Sequence, residues 1–391
     1  MNNYKIYHFY GVPPQFFSIP SDDEYLRMNA LDTHFWNYAL NKLSESLDFI
    51  CEVQLFTFDK KIKHYKLSSL SFLFHPIIRV TKHKLLSRFL NKNSYAFIKY
   101  LRINKPTIFV FYCGITISYL PIIIIIFMNQ INYVVHYHGG NIRRFAFFKS
   151  FFYRKSKAII VPTQADKEQI SSEYKIDPRK IFVIPAGINT EFYTNNNKTQ
   201  NNASYPTLCF SGILSERKSF KEALACLAYL KMHFPKVILE VAGDYENKNY
   251  AMECEEMIQK LELEKSIKLN GWVNKIMLKK IYSKSDLLLF PSKIEPLGRS
   301  LLEAMSCGTP AIALKTAIGP RIIIQHGKNG ILTDLPNFNE ATLKLLSDKN
   351  KLRMLSQHAR GTVLENYSFQ ILYPKVEALY KNLTLTVTKN E

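Results

Sequence analysis

Acidic residues are scarce in this 391-residue chain, and one long stretch has none. Between Lys60 and Ala165 there is no Asp or Glu, although eighteen Lys and Arg occur there. This imbalance contributes most of the net charge of +20 and indicates attraction to an anionic surface. We favour acidic lipid over nucleic acid, because apolar stretches such as Leu67 to Val80 are interleaved with the charges. A solvated basic face is the alternative.

Cysteine is also scarce, and its spacing excludes the common metal and redox motifs. The six cysteines, at positions 51, 113, 209, 226, 254 and 307, are far apart along the chain. We expect them to be reduced core residues of a cytoplasmic protein. The amino terminus does not match a signal peptide, because one early lysine is followed by a polar, proline-containing stretch.

Long uninterrupted hydrophobic runs are lacking as well. The segment from Thr107 to Asn129 has no charged residue and is long enough to span a bilayer. Gly114 and Pro121 divide it, however. We therefore predict a strand over Thr107 to Cys113 and a buried helix over Ile115 to Met128, rather than a transmembrane helix.

What the sequence does contain is a regular alternation of strands and helices. The composition, 47% hydrophobic and 21% charged, is that of a globular protein, and the length predicts two domains. Alternation of this kind predicts parallel sheets covered on both faces, with a ligand cleft between the two units. The predicted parts are an amino-terminal domain over 1–193, a polar linker over 194–204, a carboxyl-terminal domain over 205–366, and a final helix over 367–391 that crosses back to the first domain.

The most informative stretch runs from Glu295 to Glu303. A strand precedes it, Pro296 and Gly298 place Glu295 in a loop, and a helix begins near Ser300. In an open α/β sheet, ligands bind beyond the carboxyl ends of the strands, and free amides at a helix start suit a diphosphate. The alternative is structural, because Ser300 and Glu303 also have the spacing of a capping box. Both interpretations can hold together if Ser300 caps the helix whose amides bind the ligand.

At this point the chain resembles the retaining glycosyltransferases of family 4, which have the GT-B architecture of two Rossmann-like domains. The resemblance is most specific from about Asn132 onward, and four motifs carry it. They are the Glu-x7-Glu signature of Glu295 to Glu303, Phe210-Ser-Gly212 with Arg217-Lys218, His136-Tyr-His138-Gly139-Gly140, and the stretch from Ile160 to Asn189.

The resemblance implies transfer of a sugar from a nucleotide-diphosphate sugar to an acceptor hydroxyl, with retained anomeric configuration and without a metal or other cofactor. Lys218 and Arg217 would stabilise the charge that develops on the diphosphate. Glu295 would hold hydroxyls of the sugar, Glu303 would accept hydrogen bonds from the ribose, and His138 would position the sugar or assist deprotonation of the acceptor. The remaining donor-binding residues implied are Gly212, Gly298, Arg299, Ser300, Leu301, Trp272 and Val273.

Simpler explanations compete for several of these residues. His136 and His138 lie on one strand face and could both be core histidines, and two histidines alone make a poor metal site. Arg217 and Lys218 could form a solvated turn. The chain also departs from the family pattern, because Ile213 stands where a basic residue is common and Arg321 lies in an altered loop.

Taken together, these observations predict a glycosyltransferase at the inner face of the cell membrane. Its acceptor would be a glycan or a polyprenyl-diphosphate-linked glycan in bacterial surface polysaccharide synthesis, such as capsule, O-antigen or lipopolysaccharide. The alternative within the same fold is a nucleotide-sugar epimerase or a phosphorolytic enzyme. A basic nucleic-acid-binding protein is a further alternative, but no recognition motif supports it.

Overall fold

The computed structural model describes residues 4–10, 21–22, 26, 34–46, 48–57, 59–77, 94–112, 119–138, 146–194 and 205–388. These residues form two compact units. The first comprises the described residues of Met1–Gly187 and Leu372–Glu391, and the second comprises those of Ile188–Ile371.

The first unit is built on an eight-stranded sheet. Its strands are β1 (Tyr4–Phe9), β2 (Phe49–Thr57), β3 (Lys63–Leu67), β4 (Leu70–Pro76), β5 (Ile108–Phe111), β6 (Asn132–His136), β7 (Ala158–Val161) and β8 (Ile181–Val183). Their order is β3-β4-β2-β1-β5-β6-β7-β8, and every neighbouring pair is parallel except β3 and β4. Because helices cover the parallel strands, β5 and β7 are short apolar runs that are buried along their whole length.

Five described helices connect these strands. They are α1 (Phe35–Glu45), α2 (Tyr95–Ile103), α3 (Leu120–Met128), α4 (Ala146–Lys155) and α5 (Gln164–Tyr174), with a 3-10 turn at Pro178–Lys180. The inner faces of α2 to α5 pack with the sheet in one apolar cluster that includes Phe97, Ile122, Phe152 and Ile170.

The second unit has a six-stranded sheet that is parallel throughout. Its strands are β9 (Thr207–Ser211), β10 (Ile238–Ala242), β11 (Ile267–Leu269), β12 (Leu287–Phe290), β13 (Ala311–Leu314) and β14 (Ile331–Thr333), in the order β11-β10-β9-β12-β13-β14. The helices between and after them are α6 (Phe220–His233), α7 (Lys248–Lys260), α8 (Lys275–Lys284), α9 (Arg299–Ser306), α10 (Ile318–Ile323), α11 (Phe338–Ser347) and α12 (Lys349–Asn366). The predicted class, two α/β units around parallel sheets, is confirmed.

The last helix belongs to both units. It is α13 (Phe369–Thr388), and the division between the units falls after Ile371, within its first turn. From Leu372 onward the helix contributes buried side chains to the first unit. One of them, Tyr380, is fully buried, and its hydroxyl lies 2.6 Å from Nε2 of His8 on β1.

Two expectations about apolar segments have different outcomes. Thr107 to Asn129 contains β5 and α3, and within the described part of the chain no helix is long and apolar enough to cross a membrane. The interfacial interpretation of Leu67 to Val80 is wrong for the part that is described. Leu70–Pro76 is strand β4, and six of its seven residues are buried in the sheet.

Some predicted features lie outside the described residues. These are the proline-containing loop that begins at Gly11, the glycines at 139 and 140, Cys113, and the predicted linker beyond Thr194. The other five cysteines are buried, and none of these described residues forms a disulfide.

Candidate functional site

The loop and helix after β12 present a helix start that no side chain of its N-cap residue caps. Helix α9 has Gly298 as its N-cap, with φ +95° and no side-chain capping bond. Glycine suits this position because a left-handed backbone strains other residues. As at any helix start, the first amides of α9 have no acceptor within the helix itself, and this end of a helix suits an anion. The capping-box interpretation is wrong, because Ser300 lies inside the first turn rather than at the N-cap.

Glu295 is held by two basic residues from a distant part of the sequence. Nζ of Lys218 forms an ion pair with Oε2 of Glu295, and both side chains are mostly buried. Arg217 is exposed, with Nη1 4.0 Å from the same carboxylate oxygen and donating to the Ile294 carbonyl oxygen at 3.1 Å. The predicted phosphate ligand Lys218 and the predicted sugar ligand Glu295 are therefore in direct contact. Arg217 and Lys218 are not a simple solvated turn.

The carboxyl ends of β9 and β10 approach each other through two glycines. Gly212 has φ +137° and Gly243 has φ +145°, both unfavourable for other residues. A Cβ on Gly243 would lie only 2.0 Å from the carbonyl oxygen of Gly212. Lys218 lies directly beside Gly212, because a Cβ there would be 3.6 Å from Cε of the lysine. Ile213, where a basic residue was expected, is exposed and supplies no charge.

Glu303 is the buried carboxylate of the site. It lies one helical turn after Arg299, whose Nε donates to Oε1 at 3.0 Å. The fully buried Tyr193 is also near, and burial together with the charge of Glu303 raises the pKa of its hydroxyl. That hydroxyl has no hydrogen-bond partner in the described part of the chain. Arg299 therefore holds this buried carboxylate in place beside the Tyr193 hydroxyl.

Lys275 is a further charged group in this region, and the sequence motifs did not single it out. It begins α8, directly after the predicted base-contacting stretch of Trp272 and Val273. Its pKa is lowered to about 8, mainly by burial and also by the charge of Arg299, while the charge of Glu303 opposes both effects. Lys275 is therefore close enough to both residues for their charges to act on it. Its place after the Trp272-Val273 stretch is the one signal that could have found it.

Trp272 is presented at the edge of the second unit. Its ring is more than half exposed, and its backbone N–H donates to Oδ1 of Asp244 at 3.1 Å. Asp244 follows Gly243 at the end of β10, so two strand ends together orient the Trp272 backbone. An exposed indole held in this way offers a face for stacking.

His138 lies just beyond the end of β6 in the first unit. Its ring is 4.2 Å from that of the buried His136 and 4.6 Å from the ring of Tyr112. Burial of the ring among protein atoms lowers the pKa of His138 to about 4, and a hydrogen bond to the Tyr112 backbone opposes this effect. The ring is therefore neutral at pH 7. His136 is a core histidine, whereas His138 keeps an exposed surface.

Two domain models match the chain, one after the other. The Glycosyltransferase Family 4 model matches residues 49–192, and the Glycosyl transferases group 1 model matches residues 192–362. The motif from Glu295 to Glu303 lies within the second match.

Curated relatives are similar over part of their length. An uncharacterised glycosyltransferase of Methanocaldococcus jannaschii is 26% identical over 241 residues, which is 58% of this chain and 60% of the relative. A lipopolysaccharide core biosynthesis glycosyltransferase of Rhizobium meliloti is 24% identical over 223 residues, 56% of this chain and 62% of the relative. A diphosphoundecaprenol-linked GlcNAc α-1,3-galactosyltransferase of Escherichia coli is 27% identical over 239 residues, 56% and 59% of the two chains. The chain thus spans about 60% of the length of each of these three relatives, and 51% and 41% of the length of two other curated relatives.

Solved structures match over nearly the whole chain. A glycosyltransferase of Rickettsia africae superposes with a TM-score of 0.73 at 17% identity, covering 98% of this chain and 99% of its own. Anabaena HepE, solved with UDP and glucose, gives 0.71 at 16% identity and covers 97% and 100%. These similarities show the fold. With its two domain matches, the chain belongs to the GT-B glycosyltransferases, as a Glycosyltransferase Family 4 domain followed by a Glycosyl transferases group 1 domain.

Proposed function

We propose that this protein is a retaining glycosyltransferase that moves a hexose-type sugar from a nucleotide-diphosphate sugar to a glycan or lipid-linked acceptor. One observation carries the proposal. The second unit sets two mostly buried carboxylates, Glu295 and Glu303, on either side of a helix start, and each is paired with a basic residue. Such a site offers cations and amides for a diphosphate and carboxylates for hydroxyl groups.

Each side chain has a defined task in the proposed reaction. Cleavage of the anomeric bond leaves charge on the departing diphosphate, and Lys218 and the α9 amides are positioned in advance to stabilise it. Donor binding draws Lys218 toward the phosphates, and Glu295 is then free to accept hydrogen bonds from the sugar. Glu303 and Tyr193 face the ribose, and the Trp272-Val273 backbone faces the base. The neutral ring of His138 is an acceptor for a hydroxyl proton.

We propose a uridine diphosphate sugar as the donor. Anabaena HepE, which shares the fold, was solved with UDP and with UDP-glucose. A thermal-shift screen with uridine, guanosine and adenosine diphosphate sugars tests this choice, and stabilisation by a guanosine or adenosine donor alone would contradict it. The proposed reaction needs no metal, so turnover should survive EDTA. NMR of the product should show the anomeric configuration of the donor.

The surface polysaccharide role is proposed from the two relatives that act in lipopolysaccharide core synthesis and on a diphosphoundecaprenol-linked sugar. A peripheral position at an acidic membrane surface fits such an acceptor and the basic first unit. A polyprenyl-diphosphate-linked sugar is therefore the first acceptor to test. Sugar release only when the acceptor is present separates transfer from epimerisation or phosphorolysis.

The site assignment is tested with a matched pair of lysine variants. Lys218→Met should lower kcat by about a hundredfold, because one preorganised charge at the leaving group is removed. Lys221→Met is the control, since this nearby lysine pairs with Glu216 and Glu253 on the surface. Equal turnover in both variants, with unchanged circular dichroism, would refute the assignment.

A further inference from the structure

Helix α3 is apolar on both of its faces. Ile122, Ile123, Ile125 and Ile126 are buried in the core of the first unit. The remaining large side chains, Leu120, Ile124, Phe127 and Met128, are exposed and lie on one stripe of the helix. A helix with a single core contact normally has polar residues on its outer face, so this exposed stripe is unusual.

Helix α4 extends the exposed stripe. Phe147 is 91% exposed, and Phe151, one turn later, is also exposed. The rings of Phe127 and Phe151 are stacked 6.1 Å apart, which joins the two helices into one continuous surface. We name these six residues the apolar ridge: Leu120, Ile124, Phe127, Met128, Phe147 and Phe151. Contiguous exposed apolar surface of this kind marks an interaction site.

Basic side chains flank the apolar ridge. Lys155 follows Phe147 and Phe151 at the same helical spacing, and Lys157 comes directly after α4. Helix α2 packs against α3 and carries Lys99 and Arg102, with Lys105 just beyond it. All five side chains are exposed, and in the described part of the chain none of them forms an ion pair.

The charges identify the partner. No acidic residue lies between Lys60 and Ala165, so helices α2, α3 and α4 themselves carry only basic charges. A second copy of the chain, docked through the same surface, would bring these cations face to face. An anionic bilayer instead supplies negative charge for the lysines and an apolar layer for the rings.

We infer that the apolar ridge and its five basic neighbours form a docking surface that inserts into the headgroup layer of an anionic membrane. This inference refines the proposed function, because it specifies how the enzyme would meet a lipid-linked acceptor. The sequence suggested the stretch from Leu67 to Val80 as the membrane-binding segment, but that stretch contains the buried strand β4. The apolar ridge takes its place as the candidate membrane-binding surface, because its side chains are exposed.

The test is flotation of the full-length protein with vesicles, in the absence of any nucleotide sugar. Two vesicle types are compared, phosphatidylcholine alone and equal parts of phosphatidylcholine and phosphatidylglycerol. The ridge variant is Phe147→Ser with Phe151→Ser. Its control is Met232→Ser with Met252→Ser, because these methionines are comparably exposed but lie on α6 and α7 of the second unit.

We expect the wild type to float with the phosphatidylglycerol vesicles and much less with phosphatidylcholine alone. The ridge variant should partition about tenfold more weakly, and the control should match the wild type. Equal flotation of the ridge variant and the wild type would overturn the inference, as would no flotation of the wild type. Loss of a dimer in light scattering, with flotation unchanged, would assign the apolar ridge to self-association instead.

Sugar transfer to a soluble acceptor is measured in the same variants. The ridge residues lie outside the proposed site, so turnover should be unchanged. Inactive wild-type protein that still binds vesicles would refute the proposed function and leave the docking surface standing.

Discussion

Lys275 connects the electrostatics of the site to pH at the scale of one residue. With its pKa lowered to about 8, the ammonium group is mostly charged at pH 7 and mostly neutral at pH 9. Loss of this charge near the diphosphate should weaken donor affinity by about tenfold over that range. Calorimetric titration with the nucleotide sugar at both pH values measures the effect.

The matching variant is Lys275→Met, whose donor affinity should be weak and nearly independent of pH. Lys280→Met is the control, because Lys280 is an exposed residue on the same helix α8. A pH dependence in Lys275→Met as steep as in the wild type would assign the titration to another group.

Gly243 tests the close approach of two strands. Gly243→Ala places a methyl group 2.0 Å from the Gly212 carbonyl oxygen on a left-handed backbone. We expect the free energy of unfolding to fall by about 3 kcal/mol, measured by urea denaturation. Gly361→Ala is the opposite case, since this glycine lies inside α12 with no atom near its Cβ position. It should stabilise the protein by about 0.5–1 kcal/mol, and equal midpoints for the two variants would contradict the argument.

At the scale of elements, β1 and β6 each place a histidine in the core of the first unit. Burial, helped by the charge of His138, lowers the pKa of His8 to about 3 and that of His136 well below its usual value. Both side chains are neutral in the folded unit, whereas in the unfolded chain they take up protons below about pH 6.5. Stability is therefore full above this pH and is lost progressively as the pH falls toward the folded values.

We expect each buried histidine to cost about 2 kcal/mol of stability at about pH 5 relative to pH 7.5. Fluorescence of Trp36, made the only tryptophan by Trp272→Phe, reports unfolding of the first unit. The free energy of unfolding of the His136→Gln variant should depend less on pH than that of the wild type, even if the variant is less stable at every pH. His64→Gln is the control, because His64 is exposed on β3, and a flat profile in the wild type would contradict the prediction.

The elements also show what the sequence can and cannot predict. In the second unit the sequence predicts strands over 207–210, 267–269 and 311–314. Strands β9, β11 and β13 agree with these ranges to within a residue, because parallel strands are short apolar runs between clear helix signals. The β3–β4 hairpin was missed. Its turn uses Ser68, at φ +54°, and contains neither glycine nor proline.

Some residues of the candidate site could likewise be predicted from the sequence and others could not. Glu295, Glu303 and Lys218 were found because a motif spacing identifies them. Tyr193 and Lys275 were missed because only packing of the folded chain brings them near Glu303. Lys275 is more than twenty residues away from Glu303 in the sequence, and Tyr193 is more than a hundred residues away. The start of α9 was misjudged by one to two residues because Gly298, rather than Ser300, takes the N-cap.

At the scale of the whole molecule, the first unit should depend on the end of the chain. A truncation after Ile371 removes Val376, Leu379 and Tyr380, which are buried in that unit. We expect its unfolding transition, followed by Trp36 fluorescence, to move to lower temperature or disappear. The second unit should still be stabilised by the nucleotide sugar, and loss of both properties would show that the units do not fold separately.

Helix α13 has a consequence for the order in which the protein is made. The sequence of the second unit, Ile188–Ile371, is synthesised before Leu372 and the residues after it, which complete the first unit. The first unit, although its strands are translated first, can therefore be completed only after the second unit, because His8 of β1 meets the Tyr380 hydroxyl only when α13 packs.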